Sequence, residues 1–597
     1  MTATQLPLTW DLTSIYSSLD DPRLRADQGV ARDAARQLAS AYRGRIASLD
    51  ATELAALIDG LEKVHYLGNK AVWYAHLRFT AQTDDPAVKV TLDEVQAAAI
   101  DIENEVAFAD LELAGLTLGA LDPFLKAPAL ENLRRFLTAE QRLAPHQLRE
   151  AEEQVLNLKN LTGRRAWTQL YTELSAAIRV PVTVDGVVQN LTLDEARSLR
   201  LSPEREVRRE ATNALYAEYA KREQVVTFIF NTLYQDWKQE TTLRHYESAI
   251  APTVLHDELD ADVVEAVMSV TERNYALAQR WYAYKAAVLS LPDFSSFDTL
   301  APLDSTPRPV TFEEARDMVL QAMNAFSPRA GEIASQFFAG RIDVLPRPGK
   351  RGGAFCSSFA PHEHAFVLTN FNGRLDDAFT LAHELGHGLH AELGRDQRLV
   401  NYGHSLPLAE TASTFNEMLL ADWLLKDADE SVRRDLMAQR VQDAVNTILR
   451  QVQITRWEQR AHEARAAGVV TSDGYSELWM REWTKLHGDS VAPVPGERWG
   501  WSVIPHVVNS RFYCYSYAFG MLLVMALFQQ YTANKTEFVP RYLDFLAASN
   551  SRTPTDLLAG LGVNAQDPRF WQGGFDYLWS VLSDLTGRPE RPADLDG

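Results

Sequence analysis

The chain has 597 residues, with 59 Lys and Arg against 80 Asp and Glu, and a formal charge of -21. That length supports two or more cores, and that charge excludes a broad basic surface for nucleic acid or anionic lipid. The two cysteines, Cys356 and Cys514, are too few for a disulfide framework and suit a reducing compartment, so a cytoplasmic protein is expected.

The N-terminus, "MTATQLPLTWDLTSIYSSLDDPRL", has no basic stretch leading into an apolar one and does not read as a signal peptide. "TELAALIDGLEKVHYL" and "VTLDEVQAAAIDIENEVAFADLEL" then space apolar residues at three and four, which predicts amphipathic helices. "IRVPVTVDGVVQNLTLDEA" breaks the rhythm. Alternation about Asp185-Gly186 predicts a β-hairpin, and Thr192 with Glu195 predicts a capping box for the next helix. A boundary is expected there, dividing an N-terminal helical lobe, 1–195, from a catalytic region, 196–597. Helical spacing resumes in "REATNALYAEYAKREQVVTFIFNTLYQDWKQETTL".

Further on, "GGAFCSSFAPHEHAFVLTNFNG" predicts two strands joined around Pro361 to His364. They lead into "DDAFTLAHELGHGLHAELG", a helix with Asp376 as N-cap and Gly394 as stop. After Pro407 comes a strongly apolar helix opened by Glu410, "AETASTFNEMLLADWLL". The run "YAFGMLLVMALF" falls well short of the roughly 20 residues of a membrane span and predicts a buried helix. No internal repeat or low-complexity segment is present. The expected fold is mainly α, with a small β-sheet beside the motif helix.

The motif is H-E-x-x-H. Four residues apart on a helix, His383 and His387 lie one turn apart on one face, so two imidazoles can converge on a tetrahedral Zn²⁺. Glu384 is placed to act as general base on a water activated by the metal. A catalytic zinc needs a third protein ligand and an open position. Glu410 supplies that ligand, and Ala409, Ala412, Phe415 and Met418 give it apolar neighbours. Glu417 sits seven residues later on the same face, either beside the ligands or as a surface carboxylate. His390 faces the way of His383 but too far along the helix to share its metal, so a supporting role is expected. Many zinc peptidases with a Glu ligand carry an Asp four residues after it to orient a histidine. Position 414 here is Thr, which leaves that task to Ser413, Thr414 or another lobe.

"TLAHELGHGLH" followed by "AETASTFNE" resembles the M3 family of zinc metallopeptidases, the thimet oligopeptidase group, and within it the bacterial oligoendopeptidase F branch. "PGKRGGAFCSSF", "FVLTNFNGRLDD", "DPRFWQGGFDYLWSVLSDL", "WDLTSIY" and "RHYESAIAPTVLHDELDADVV" extend the resemblance over nearly the whole chain. It implies a two-lobed helical ellipsoid of zincin-like type around a deep channel that admits short unstructured peptides. It also implies one catalytic Zn²⁺ per chain on His383, His387 and Glu410, with Glu384 as base.

In "IPHVVNSRFYCYSYAFGM" the resemblance points to His506 and nearby tyrosines as substrate and transition-state contacts. Helix spacing puts Tyr513 and Tyr517 on one face and Tyr515 off it, which favours His506, Tyr513 and Tyr517 as the catalytic donors. Tyr515, Gly352, Gly353, Ala354 and Phe355 are expected to bind substrate, the strand around Gly353 to Ser358 pairing with an extended peptide. The expected activity is zinc-dependent cleavage of internal bonds in short peptides, without nucleic-acid or membrane partners. A carboxypeptidase or dipeptidase is the rival, and would need Lys350, Arg351 or Arg511 to fix a terminal carboxylate. A purely structural zinc would usually take four protein ligands, commonly including cysteines.

Overall fold

The structure, a computed structural model, describes residues 7–184, 186–303, 309–403, 405 and 408–588. It is mainly helical, with two small sheets. Strands β1 (Val180–Val184) and β2 (Val187–Leu191) form an antiparallel hairpin. Gly186 sits at φ +76° in its turn, a conformation glycine adopts without steric cost; Asp185 lies outside the described residues. The expected capping box is present: the Thr192 hydroxyl accepts from the Glu195 N–H, and the Glu195 carboxylate accepts from the Thr192 N–H.

The second sheet has three strands where the sequence predicted two. Strand β3 (Ile342–Asp343) pairs parallel with β5 (Phe366–Leu368), and β4 (Phe355–Ser357) pairs antiparallel with β5 from the other side. A two-residue strand carries no readable alternation, so β3 gave no signal. Central β5 is buried at every residue, whereas edge strand β4 is half-buried throughout.

Two compact units are present. One comprises Met1–Pro145, Pro307–Asp427 and Gln530–Val563; the other comprises His146–Thr306, Ala428–Gln529 and Asn564–Gly597. The division expected at residue 195 falls inside the second unit.

In the first unit, helices Pro22–Tyr42, Ala51–Ala81 and Pro86–Ala114 pack through an aliphatic cluster that includes Leu54, Leu57, Ile58 and Ile102. A second cluster joins Trp10 and Tyr16 of the N-terminal segment to Trp73, Tyr74, Phe366 and Leu368, so "WDLTSIY" ends against the three-stranded sheet. Trp73 also donates its indole N–H to Ser357 Oγ at 2.8 Å. Tyr66 and Lys70 both bind Glu363 in the turn after β4. Helix Ala51–Ala81 thereby fixes the edge strand in place.

The motif helix spans Leu375–Leu393. Its cap is Arg374 rather than the expected Asp376, because Asp377, inside the first turn, accepts from the Arg374 and Asn372 backbone N–H groups. Gly394 ends it as expected, and a Cβ there would lie 2.2 Å from Ser549 Oγ. The ligand helix, Thr411–Asp427, packs across it. Gly386 makes that approach possible: a Cβ added there would lie 2.5 Å from the Ala412 carbonyl oxygen. Asn416 adds a hydrogen bond across the same contact, from Nδ2 to the Ala382 carbonyl at 2.7 Å.

The second unit is organised around the aromatic side chains of Phe230, Tyr234, Trp457, Tyr475 and Trp501, with the hairpin resting on helix Arg205–Ala220. Residues Ala518 to Phe528, within the apolar helix Cys514–Ala533, are mostly buried, as expected. No single helix among the described residues is long and apolar enough to cross a membrane.

Candidate active site and metal centre

The two helices of the first unit bring the H-E-x-x-H motif and Glu410 together. His383 Nε2 lies 3.3 Å and His387 Nε2 3.5 Å from the same oxygen, Glu410 Oε2. One ligating atom from each of the three residues falls within 4.8 Å of the others. In a tetrahedral site with bonds of about 2.0–2.1 Å, neighbouring ligand atoms lie about 3.3–3.4 Å apart. The donor set and its spacing therefore fit a metal ion that takes nitrogen and oxygen ligands. Glu410 stands immediately before the ligand helix, which begins at Thr411; Pro407 lies outside the described residues.

The residues around the ligands have separate tasks. Glu417 Oε1 accepts from His383 Nδ1 at 2.6 Å, which leaves Nε2 of that ring turned toward Glu410. Glu417 thus does what an Asp at 414 would have done. The orienting contact comes from the ligand helix itself, two turns beyond Glu410, and not from Ser413, Thr414 or another lobe as expected. Ser413 donates its hydroxyl to Glu410 Oε2 at 2.8 Å, while Thr414 contributes only its backbone N–H, to the Glu410 carbonyl. His390 is buried, one turn further along the motif helix.

The electrostatics follow from this packing. Burial opposes a charge on His383, but its hydrogen bonds to Glu410 and Glu417 outweigh that and raise the imidazole to about 10. The same contacts, from His383 and His387, hold Glu410 far below the ordinary carboxylate range. A ligating imidazole must be neutral, so metal binding at this site releases protons. Glu384 differs from both. Its side chain is buried, and burial pushes its carboxyl up, opposed by the two histidines and by a hydrogen bond from the Cys356 backbone N–H. That bond places the carboxyl against edge strand β4.

The expected substrate segment lies along this edge. Gly352 and Gly353 are exposed, and Gly353 takes φ +80° where the chain turns into β4. Ala354 is half-buried. Phe355 pairs its backbone with Leu368 and turns its ring toward Trp10, so its side chain belongs to the core while its backbone lies on the edge strand.

In the second unit, Tyr513 and Tyr517, the pair that helix spacing puts on one face, cluster with His506. The His506 and Tyr513 rings are parallel with centroids 5.9 Å apart, and Tyr517 stands edge-on to both. Tyr517 Oη lies 3.4 Å from His506 Nε2. Burial, together with the charge of Arg450, lowers the His506 pKa, which favours a neutral ring. Tyr515 does not belong with them. It is fully buried with its hydroxyl bonded to the buried Asp257, so the expectation that it binds substrate is corrected: on this helix it points into the core.

Sequence reasoning missed the carboxyl that shapes this turn. Phe512, just before Tyr513, takes φ +56°, a strained conformation for a bulky residue. Its N–H donates at 3.0 Å to Glu458, whose wholly buried carboxyl is pushed up to about 8. No local pattern marked Glu458, since the partner lies 54 residues away.

A model of peptidase family M3 matches residues 198–577, and one described as oligopeptidase F matches residues 112–179. An oligoendopeptidase F homolog of Lactococcus lactis is 26% identical over 98% of both chains. Oligopeptidase PepF of Bacillus subtilis is 27% identical over 94% of this chain and 84% of its own. Among solved structures, a Chlamydophila abortus protein superposes with a TM-score of 0.89 at 23% identity, covering 97% of this chain and 98% of its own. Oligoendopeptidase-F from Enterococcus faecium gives a TM-score of 0.68 at 20% identity, covering 94% and 98%.

Proposed function

Because the chain belongs to peptidase family M3, we propose that it is a zinc-dependent endopeptidase that hydrolyses internal bonds of short, unstructured oligopeptides. The observation that carries this reading is the convergence of both histidine Nε2 atoms on Glu410, with the buried Glu384 carboxyl next in sequence to the first histidine. In this reading His383, His387 and Glu410 hold one Zn²⁺ per chain, which supplies Lewis acidity toward the attacking water and the scissile carbonyl. Glu384 takes the proton from that water and delivers it to the leaving amine nitrogen. Burial raises its carboxyl in the direction of holding the proton it accepts. Glu417 holds the His383 ring in its tautomer. Edge strand β4, apart from the Cys356 N–H that Glu384 takes, offers its unpaired backbone groups to an extended peptide. His506, Tyr513 and Tyr517 are the donors assigned to the oxyanion.

The exopeptidase alternative needs a free cation for a terminal carboxylate. Lys350 is committed elsewhere: its ammonium is wholly buried, pairs with Asp343 at 2.7 Å and donates to the Leu345 and Thr369 carbonyls. Arg351 is exposed and lies over the Phe355 ring. The test is to incubate the Zn²⁺-loaded protein with a mixed peptide library and map the cut sites by mass spectrometry. Internal cuts support the endopeptidase, whereas release of terminal residues or dipeptides alone replaces it with the exopeptidase, and no cleavage overturns both.

A further inference from the structure

Arg511, the third cation of the exopeptidase reading, occupies a different setting from Lys350 and Arg351. It is only 9% exposed, its guanidinium lies 5.0 Å over the Trp237 ring, and its Nε and Nη2 have no hydrogen-bond partner among the described residues. A buried guanidinium with unmade hydrogen bonds is costly unless something else satisfies it.

Arg511 also lines a cavity of about 410 Å³ in the second unit, together with Arg164, Arg165, Thr168, Thr172 and Asn509. Arg164, Thr168 and Thr172 recur every four residues and present one face of helix Arg164–Ala177. No carboxylate is among the described residues lining this cavity, in a chain whose acidic residues outnumber its basic ones by 80 to 59.

The positive charge there is compensated only in part: Asp236, whose carboxyl burial pushes up, acts on both Arg164 and Arg511. Arg164 gives Nη1 to Glu240 at 2.6 Å. Arg165 is exposed and has no ion pair among the described residues. Glu458 acts on Arg511 from the protein side, but burial raises that carboxyl to about 8, so it is mostly protonated at neutral pH. Burial and the neighbouring Arg164 charge together hold Arg511 below its ordinary value.

We propose that this cavity is a binding site for a small oxyanion, a carboxylate or phosphate group, held by Arg164, Arg165 and Arg511 with the Thr168 hydroxyl as a further donor. Planar guanidinium forks match the paired oxygens of such groups and discriminate against a monatomic anion, which can engage only one point of each fork. The site adjoins the segment that carries His506 and Tyr513: Asn509 and Arg511 lie between them, so a bound anion would brace the strained turn at Phe512.

The test uses full-length, metal-free protein, so its outcome is independent of the peptidase reading. Sodium phosphate is titrated calorimetrically in a sodium chloride background of constant ionic strength. One saturable site is expected, with Kd of about 1 mM or tighter. Arg165→Gln, which alters an exposed side chain, should weaken binding by at least ~5-fold, and Arg511→Lys, which keeps the charge but loses the fork, by at least ~10-fold. A short acetylated peptide and its C-terminal amide then identify the source. Competition by the acid but not the amide assigns the site to a peptide carboxylate, and no competition by either assigns it to phosphate. Absence of saturable phosphate or peptide-acid binding above the chloride background overturns the proposal. So does binding that Arg165→Gln leaves unchanged.

Discussion

Replacing Gly386 by Ala should separate folding from metal binding. The added Cβ would lie 2.5 Å from the Ala412 carbonyl oxygen and 2.6 Å from Ser413 Cα. Both are backbone atoms of the segment carrying Glu410 and Glu417, so no side-chain rotation relieves the contact. Restoring the 3.4 Å of ordinary contact requires the motif and ligand helices to part by about 0.9 Å, beyond the ~0.5 Å tolerance of a preorganised site. In stability the effects oppose each other. Overpacking costs ~1–3 kcal/mol, and Ala in place of Gly inside a helix returns about 1 kcal/mol, leaving a net loss of at most about 2 kcal/mol. In metal affinity nothing compensates, and a loss of at least ~10-fold is expected once Glu410 and Glu417 retreat from the histidines. Chelator-competition titration with Zn²⁺ reads the affinity, and calorimetry reads the thermal midpoint. Gly388→Ala is the control, because its Cβ would meet the Phe337 ring at 2.6 Å and not the ligand segment. It should lower the midpoint with metal affinity retained. Parent-like Zn²⁺ affinity in Gly386→Ala, with an unchanged or raised midpoint, would refute the claim that close helix approach sets the ligand geometry.

Substitutions at three further positions assign roles within the site. Glu384→Gln keeps size and removes the proton acceptor, so the protein should fold and retain Zn²⁺ yet lose at least ~10² in kcat; near-parent turnover, with contaminating peptidase excluded, would sink the mechanism. Glu410→Gln should lower metal content and activity together, and undiminished Zn²⁺ by elemental analysis would remove Glu410 from the ligands. Glu417→Leu leaves His383 Nδ1 without its acceptor and should weaken Zn²⁺ by ~10–100-fold, whereas Glu417→Gln, still an acceptor, should fall nearer the low end; equal affinity in both variants and the parent would make the 2.6 Å contact incidental.

What the sequence disclosed depended on how far apart the partners lie. The motif helix, the hairpin and the Thr192–Glu195 capping box rest on residues within a turn or two of one another, and each formed as its spacing required. The helix cap moved from Asp376 to Arg374 because two acidic residues stand side by side, and Asp377, three residues after the cap, is the one placed to turn back to the Arg374 N–H. Strand β3 was invisible at two residues. The compact units are each assembled from three separated segments, a grouping set by contacts between residues far apart in the chain, which local patterns do not record.

The site shows the same limit at closer range. His383, His387 and Glu410 are legible because ligand chemistry restricts both residue type and helical phase. Glu417 was ambiguous because a helical carboxylate facing solvent and one facing an imidazole look alike in sequence; the close approach permitted at Gly386 decides between them, and that glycine lies on the other helix. Periodicity separated Tyr515 from Tyr513 and Tyr517, yet only the buried Asp257, 258 residues away, explains why a tyrosine is placed there at all. Glu458 and Arg511 are the extreme case. Their positions beside the Phe512 turn are fixed by contacts from distant helices, so burial, the quantity that gives each of them an unusual charge balance, cannot be read from the residues around it.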